Sequence, residues 1–288
     1  MNPESLPAVG VNYNIGGIDI LLPEGHPLPG YQANYRRYDR FLPYIVKRLP
    51  KESGVIDIGA NCGDTLASII AAGPELKYLC VEPSDNYFRY LEENIRRTHI
   101  YFPEILILTS KCLVGVADGD YLLSENAGTA TALKVGSANG LNAGASMGLT
   151  KTKLTDLIQL CGEKFKPKLI KIDVDGFDFD VINSGSEIIK AEKPILFFEC
   201  NPTSEEGFQA YMKTIESLSG VGYKNFSIFD NFGEFIFSTQ EAKILPDLMR
   251  YFLKQNTRTF YYIDILAAAE ADAPLIESAI DEFNKTKF

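Results

Sequence analysis

The sequence is poor in the residues that build metal sites and disulfide frameworks. Its 288 residues include only two histidines and five cysteines. Two histidines are too few for a histidine-rich zinc site, and the cysteines, odd in number, contain no pair at CxxC spacing. Cys80 and Cys112 stand inside apolar runs, which indicates small buried hydrophobic side chains rather than ligands or disulfides.

Long apolar runs and an excess of positive charge are missing as well. No run reaches the length of a membrane span, and the N-terminus lacks the basic start and apolar stretch of a signal peptide. We therefore expect a cytoplasmic protein with no membrane partner. The net charge is −10, and an acidic surface repels phosphate backbones, so we expect no nucleic-acid partner. The sequence leaves open whether the chain forms a homo-oligomer.

Apolar runs of strand length alternate with amphipathic stretches of helix length between residues 54 and 267. Strands without polar alternation, each followed by a helix, predict a Rossmann-like, doubly wound α/β fold with a mostly parallel sheet. A hairpin at 226–238 and a late strand at 259–269 predict an antiparallel edge. The other predicted strands are 54–60, 77–83, 104–115, 168–176 and 194–201, and the predicted helices are 64–73, 84–99, 153–162, 177–192 with a break near Gly185, and 204–220.

Two segments depart from this alternation. Residues 1–50 are rich in proline and tyrosine, and five of their aromatic residues have roughly helical spacing. Docking onto the core is the default explanation for these rings, and lining a substrate pocket is the alternative; they are Tyr31, Tyr35, Tyr38, Phe41 and Tyr44. Residues 126–150 are rich in glycine, alanine and serine, which indicates either a mobile loop over the site or ordinary surface disorder. Before them, a turn at Asp118-Gly119 predicts a hairpin that returns into residues 120–125.

The turn after the first predicted strand has the composition of a ligand-binding loop. It reads Asp57-Ile58-Gly59-Ala60-Asn61-Cys62-Gly63, and its glycines let the backbone approach a ligand closely. Ligands of open parallel sheets bind at the carboxyl ends of the strands. A carboxylate at Asp57 is unfavourable beside a pyrophosphate but favourable beside an ammonium and a sulfonium, so S-adenosylmethionine is preferred over NAD. The alternative is that Asp57 caps local backbone N–H groups.

Glu82, followed by Pro83, ends the second predicted strand. A carboxylate there can accept hydrogen bonds from both ribose hydroxyls of a nucleoside, whereas the plain alternative is an exposed glutamate before a proline. Asp118 is a weaker candidate for the adenine side, because its Asp-Gly context also explains it as a turn residue. Thr129 and Thr131 are weaker still. The predicted cofactor-binding residues are Asp57, Gly59, Ala60, Asn61, Gly63, Glu82, Pro83, Asp118 and Asp173.

Five stretches of the sequence together resemble the FkbM family of class I S-adenosylmethionine-dependent methyltransferases. They are VIDIGANCGDT, CVEPSDNYFRYLEENI, LTDLI, LIKIDVDGFDFDVINSG and ILFFE, in matching order across about 54–200. The resemblance implies O-methylation of a small-molecule acceptor, a sugar or another hydroxylated natural product. One departure is Asp175 and Asp178, where the family commonly has glutamates. We accordingly divide the chain into an N-terminal extension or substrate-side cap (1–50), a methyltransferase domain (51–270) and a C-terminal helix (271–288).

Methyl transfer to an alcohol needs a group that removes the hydroxyl proton, or a metal that lowers its pKa. Asp173 and Glu199 end the fourth and fifth predicted strands, and Asn201 follows shortly after. In one interpretation Asp173 or Glu199 is the general base, and in another all three residues bind Mg²⁺. In a third, Asp173 caps the next helix or holds the methionine part of the cofactor. His26, in a turn-rich segment, is a further candidate to contact substrate.

Two other functions fit the same architecture. An NAD(P)-dependent oxidoreductase is disfavoured because the third glycine of the dinucleotide turn is missing and no Tyr-x-x-x-Lys pair or catalytic histidine is evident. A non-catalytic nucleotide-binding module is disfavoured because the glycine turn is intact.

Overall fold

The computed structural model describes residues 9–116, 121–126, 128–134, 146–149, 151–253 and 259–288. The strands in these ranges are β1 (Val11–Ile15), β2 (Ile18–Leu22), β3 (Gly54–Ile58), β4 (Lys77–Val81), β5 (Leu106–Ser110), β6 (Leu113–Val114), β7 (Tyr121–Asn126), β8 (Thr129–Lys134), β9 (Ser146–Leu149), β10 (Lys151–Thr152), β11 (Pro167–Ile172), β12 (Ile195–Cys200), β13 (Tyr223–Asp230), β14 (Phe235–Thr239) and β15 (Ile263–Ala269). The α-helices are α1 (Leu28–Asn34), α2 (Leu42–Val46), α3 (Asp64–Ile70), α4 (Asp85–Tyr101), α5 (Leu154–Leu160), α6 (Asp178–Ser184), α7 (Ser186–Glu192), α8 (Glu205–Gly220), α9 (Leu245–Leu253) and α10 (Ala273–Lys285). No helix in these ranges is both long and apolar enough to cross a membrane.

The central sheet has eight strands in the order β14-β13-β15-β12-β11-β3-β4-β5. The five strands from β12 to β5 are parallel, and β15 lies antiparallel between β12 and β13. The predicted α/β fold and its antiparallel edge are therefore confirmed. The late strand, predicted at 259–269, is β15 (Ile263–Ala269), which lies beside β12 with the hairpin β13–β14 outside it.

Both faces of the sheet are covered, which explains the apolar strands of the sequence. All five residues of β3 are buried. Its Val55 packs in a core cluster with residues of α2, α3, α4 and α10, whereas its Ile56 packs in a second cluster with residues of α5, α6 and α8. A strand buried on both faces has no solvent side, so the polar alternation of a half-exposed strand is absent.

Local sequence signals set several helix boundaries. The side chain of Ser84 accepts a hydrogen bond of 3.1 Å from the backbone N–H of Tyr87, so Ser84 caps α4 as predicted. The predicted break at Gly185 separates α6 from α7. A Cβ atom at Gly185 would lie 2.7 Å from a methyl carbon of Leu154, so the close packing of α5 against this junction requires glycine.

The sequence-based prediction is wrong for the region that follows α4. The expected strand 104–115 is two strands: β5 joins the central sheet and β6 pairs with β10. The expected hairpin partner, β7, pairs instead with β8 and β9 in a separate three-stranded sheet. The described parts of the segment 126–150 are thus strands rather than a loop. The cause is local burial, because Tyr121, Leu123 and Ala132 form a small hydrophobic cluster with Leu113.

The N-terminal segment packs into the main core. The hairpin β1–β2 buries Ile18, Ile20 and Leu22, and the hairpin contacts α3 and α4. Phe41, just before α2, lies 4.4 Å from the ring centre of Phe229 on β13 and 5.3 Å from that of Phe283 on α10. The segment is therefore joined to the sheet by shared hydrophobic contacts, and the division of the chain at residue 50 stays a prediction.

Candidate cofactor and acceptor site

The glycine turn brings the tips of β3 and β11 together. Gly59 has a φ of 83°, and a Cβ atom there would overlap the carbonyl oxygen of Asp173, so only glycine fits. Asn61 has a φ of 48°, a conformation that asparagine tolerates. Its side-chain amide donates to the carbonyl oxygen of Gly128 at 2.7 Å. Gly63, with a φ of 80°, begins α3.

Glu82 is held by the turn that it faces. Its Oε2 atom accepts a hydrogen bond of 2.9 Å from the N–H of Asn61, and its Oε1 atom accepts one of 2.8 Å from the N–H of Ser84. Burial raises the pKa of Glu82 to about 7, and these two hydrogen bonds oppose the rise. Each carboxylate oxygen keeps a second lone pair, so Glu82 can still accept hydrogen bonds from a ligand.

A cavity of about 600 Å³, counted with its mouth, adjoins the turn. We call it the turn cavity. The predicted residues that line it are Gly59, Asn61, Glu82, Pro83, Thr129 and Asp173. Ala60 is buried behind the turn and Gly63 starts the helix, so neither lines the cavity. Asp118 lies outside the described residues.

The turn cavity is also lined by residues that were not predicted from the sequence. Lys151 and Phe177 line it together with Cys112, Leu113 and Val114. The ammonium of Lys151 pairs with Asp180 at 2.6 Å and lies 4.9 Å from the ring centre of Phe177. Lys151 and Phe177 belong to strand and loop segments far apart in sequence, so no local pattern could have identified them.

Asp57, whose carboxylate is predicted to lie beside a cationic ligand, does not line the turn cavity. Its side chain is 4% exposed and lies 3.3 Å from the ammonium of Lys171, because β3 and β11 pair these two residues. Burial lowers the pKa of Lys171, but Asp57 and Asp173 outweigh this and raise it well above its usual range. Lys171 is therefore a buried ammonium that holds both strand tips.

Asp173 stands at the junction of two cavities. It lines the turn cavity and also a second cavity of about 720 Å³, counted with its mouth, which we call the inner cavity. Its Oδ2 atom lies 3.3 Å from the ammonium of Lys171, and its side chain is 51% exposed. The walls of the inner cavity include Tyr38, Phe41, Lys171, Asp173, Phe197, Glu199, Phe229, Tyr262 and Asp264.

Glu199 and Asp264 lie side by side in the inner cavity. They are directly opposite each other in the antiparallel pairing of β12 with β15. Burial and the negative charges of Asp173 and Asp175 together raise the pKa of Glu199 to about 8. The sequence analysis missed Asp264 because its position next to Glu199 depends on the insertion of β15 beside β12.

Sequence comparison decides the family. Residues 57–225 match the family described as the methyltransferase FkbM domain. The chain belongs to this family. The FkbM resemblance noted in the sequence is thus confirmed, and membership makes the chain an S-adenosylmethionine-dependent methyltransferase. The comparison with curated protein sequences found no match.

Several solved structures are distantly similar. One is the methyltransferase FkbM from Methylobacillus flagellatus KT, with 15% identity and a TM-score of 0.39, covering 83% of this chain and 58% of that one. Another is the O-methyltransferase from Bacillus cereus in complex with SAH, with 13% identity, a TM-score of 0.45, and coverage of 84% and 88%. A third is the precorrin-6y C5,15-methyltransferase from Geobacter metallireducens GS-15, with 12% identity, a TM-score of 0.39, and coverage of 80% and 85%.

The two positions where this FkbM chain has aspartate instead of glutamate have different surroundings. Asp175 accepts hydrogen bonds from the hydroxyls of Thr129 and Thr131, at 2.6 and 3.0 Å. It therefore ties β8 to the loop after β11 at the edge of the turn cavity. Asp178 is fully buried at the start of α6, where burial and the charge of Glu199 raise its pKa well above the usual range.

The predicted catalytic and metal residues do not all line one cavity, although the side chain of Asn201 donates a hydrogen bond to Glu199. His26 lines neither cavity, because its loop packs against the turn at Gly128 rather than against the strand tips. Asn201 also lines neither cavity, whereas Glu199 lines only the inner one. The structure thus gives no support to His26 as a base.

The donor set does not fit the Mg²⁺ interpretation. The ammonium of Lys171 already lies beside Asp173, and a second cation at that carboxylate would be repelled. Within the described ranges, no group of three or more His, Cys, Asp or Glu side chains is arranged to hold a metal ion.

The aromatic residues of the N-terminal segment divide between the two explanations offered for them. Phe41 is buried in the core and also forms part of the inner-cavity wall, and Tyr38 lines that wall. Tyr31 and Tyr35 lie outside it; Tyr31 stacks on Tyr38, and Tyr35 stacks on Phe232.

Proposed function

We propose that this chain methylates a hydroxyl group of a small acceptor, a sugar or another hydroxylated metabolite, and that the acceptor binds in the inner cavity. The observation that carries the proposal is the position of Asp173, which lines both cavities. A donor in the turn cavity and an acceptor in the inner cavity would meet at this residue. Holding two reactants in line supplies much of the catalysis of a displacement reaction.

The turn cavity suits the adenosyl part of the donor. Glu82 faces it with free lone pairs for the ribose hydroxyls, and Pro83, Leu113 and Phe177 provide apolar surface. When bound, S-adenosylmethionine supplies a methyl group already activated by the sulfonium. Asp57 contributes indirectly, by fixing Lys171 beside Asp173.

Asp173 is the general base in this proposal. An O–C bond forms to the acceptor hydroxyl as the S–C bond breaks, the electron pair of that bond stays on sulfur, and the hydroxyl proton passes to Asp173. Lys171, at 3.3 Å, holds the carboxylate in place. Phe41, Phe197 and Phe229 line the inner cavity and exclude water around the acceptor.

The Asp173→Asn variant tests this role. We expect kcat to fall by about 10² to 10⁴, the usual contribution of a general base. S-adenosylhomocysteine should still raise the melting temperature of the variant. The matched control is Asp281→Asn on the exposed side of α10, which should leave kcat unchanged.

Two outcomes would contradict the proposal. An increased KM for S-adenosylmethionine with an unchanged kcat would mean that Asp173 holds the methionine part of the cofactor instead. Stabilisation of the wild type by NAD and not by S-adenosylhomocysteine would favour an oxidoreductase.

A further inference from the structure

The inner cavity has more carboxyl groups than cations free to balance them. Asp39, Asp173, Glu199 and Asp264 line it, and the cations in its wall are Arg37, Arg40 and Lys171. The net charge near each carboxyl group therefore depends on which partners those three cations have.

Each of the three cations has partners other than Glu199 and Asp264. Lys171 lies between Asp57 and Asp173, at 3.3 Å from each. Arg37 donates to the carbonyl oxygen of Phe283 at 2.9 Å and pairs with Glu234 at 3.2 Å.

The third cation, Arg40, donates to the side-chain oxygen of Gln32 at 3.4 Å. Its guanidinium carbon lies 5.7 Å from the ring centre of Phe288. None of the three therefore forms an ion pair with Glu199 or Asp264.

Glu199 and Asp264 form an acidic pair without a counter-ion. They face each other across β12 and β15, and like charges directly opposite on neighbouring strands destabilise a sheet. Asp264 is half-buried in the wall of the inner cavity, and no hydrogen bond or ion pair joins its side chain to a residue that the structure describes. Burial raises its pKa well above the usual range, and Glu199 and Asp173 raise it further.

Aromatic rings complete the surroundings of this pair. Tyr38 and Tyr262 both line the inner cavity, and Tyr262 lies two residues before Asp264 in the chain. Aromatic faces attract ammonium groups, and carboxylates pair with them. Two neighbouring carboxylates without a cationic partner, in a cavity with tyrosine walls, have the chemistry of a site for a ligand cation.

We propose that the methyl acceptor carries a protonated amine, which binds between Glu199 and Asp264 while its hydroxyl is directed at Asp173. This inference rests on the proposed function and narrows its substrate class to amino sugars and amino alcohols. The ammonium supplies the missing positive charge. Acceptors bearing a phosphate or carboxylate are excluded, because their charge would lie against the same carboxylates.

Matched sugars test the inference. We would measure kcat/KM for methyl transfer to methyl glucosaminide, methyl glucoside and methyl glucuronide, which present an amine, a hydroxyl and a carboxylate on similar rings. We would add 2-aminocyclohexanol and cyclohexane-1,2-diol as a smaller pair. We expect each amine to exceed its hydroxyl counterpart by at least about tenfold, the effect of one additional favourable charge contact. The glucuronide should be the poorest acceptor.

The Asp264→Asn variant then assigns the preference to a residue. In this variant the ratio of kcat/KM for the amine acceptor to kcat/KM for its hydroxyl counterpart should fall by about tenfold, and Asp264→Glu should restore part of that ratio. Asp281→Asn is the control of the same chemical change and should keep the wild-type preference. Stabilisation of each variant by S-adenosylhomocysteine would show that it is folded.

Failure of the amine site and failure of the proposed function would give different results. Equal rates for amine and hydroxyl acceptors, or no transfer to any of them by a protein that binds S-adenosylhomocysteine, would overturn the amine site. Failure to bind S-adenosylhomocysteine would overturn the proposed function itself. A product methylated on nitrogen would support the amine site but contradict transfer to the hydroxyl.

Discussion

Single residues of the site differ in how far their roles could be predicted from the sequence. The tight turn at Gly59 and the proximity of Glu82 were predictable, because each depends on a strand and the few residues that follow it. The pairing of Asp57 with Lys171 was not predictable, because Lys171 lies more than a hundred residues away and meets Asp57 only through the β3–β11 register. A carboxylate whose nearest cation belongs to another strand cannot be assigned from its own neighbours.

The raised pKa of Glu199 makes stability depend on pH. An acid with a pKa of about 8 in the folded chain binds more protons than the unfolded chain does between its ordinary pKa and 8. Stability should therefore fall as the pH rises through that interval. In Glu199→Gln the part of this loss that comes from Glu199 should disappear, leaving the variant more stable than wild type by roughly 2 kcal/mol at pH 9.

Urea unfolding between pH 5 and pH 9 measures this effect. Glu206→Gln, an exposed glutamate in the first turn of α8, is the control and should keep the wild-type slope. A wild-type protein that becomes more stable as the pH rises from 5 to 8, with Glu199→Gln following it, would contradict the assignment.

Secondary-structure elements were predicted best where the spacing of apolar residues in the sequence matches the pattern of buried residues in the structure. The parallel strands and α4 with its Ser84 cap follow directly from apolar runs and a capping residue. The small sheet of β7, β8 and β9 was missed, because β8 and β9 lie in a glycine-, alanine- and serine-rich segment with a weak apolar pattern. These strands are specified by pairing with β7 and by the cluster around Tyr121, which are non-local contacts.

Two hydrogen bonds to Asp175 hold the strand β8 at the turn cavity. Thr129→Val combined with Thr131→Val removes both hydroxyls that bond to this carboxylate without changing side-chain shape much. We expect about a tenfold weaker affinity for S-adenosylhomocysteine, since hydrogen bonds to a charged group contribute about 1.5–3 kcal/mol and exposure reduces this. Isothermal titration calorimetry would measure the change.

The matched control is Thr109→Val, an exposed threonine on the edge strand β5, which should bind as wild type does. An unchanged affinity of the double valine variant for S-adenosylhomocysteine would show that the hydrogen bonds between β8 and Asp175 do not contribute to cofactor binding.

Segments from both ends of the chain meet the sheet at one aromatic junction. Phe41 from the N-terminal segment, Phe229 from the sheet and Phe283 from α10 are mutually in contact. The sequence suggested that residues 1–50 dock onto the core, but it did not show that their rings also complete a cavity. That arrangement depends on segments from both ends of the chain meeting at the sheet.

Removing one ring of this junction tests whether the N-terminal segment is an integral part of the fold. Phe41→Ala should reduce the free energy of unfolding by about 3–5 kcal/mol, the usual cost of deleting a buried phenylalanine. Tyr31→Ala, at a ring that is 40% exposed, should cost much less. Denaturant unfolding with hydrogen exchange would measure both. Loss of protection confined to residues 9–50, with the sheet unaffected, would indicate a separable cap.

A crystal structure with S-adenosylhomocysteine would test whether Asp173 stands between donor and acceptor. We predict that the ribose hydroxyls bond to Glu82 in the turn cavity, that the sulfur points toward Asp173, and that the inner cavity beyond Asp173 stays open for an acceptor. A sulfur directed away from Asp173, or an adenosyl group bound in the inner cavity, would contradict the account.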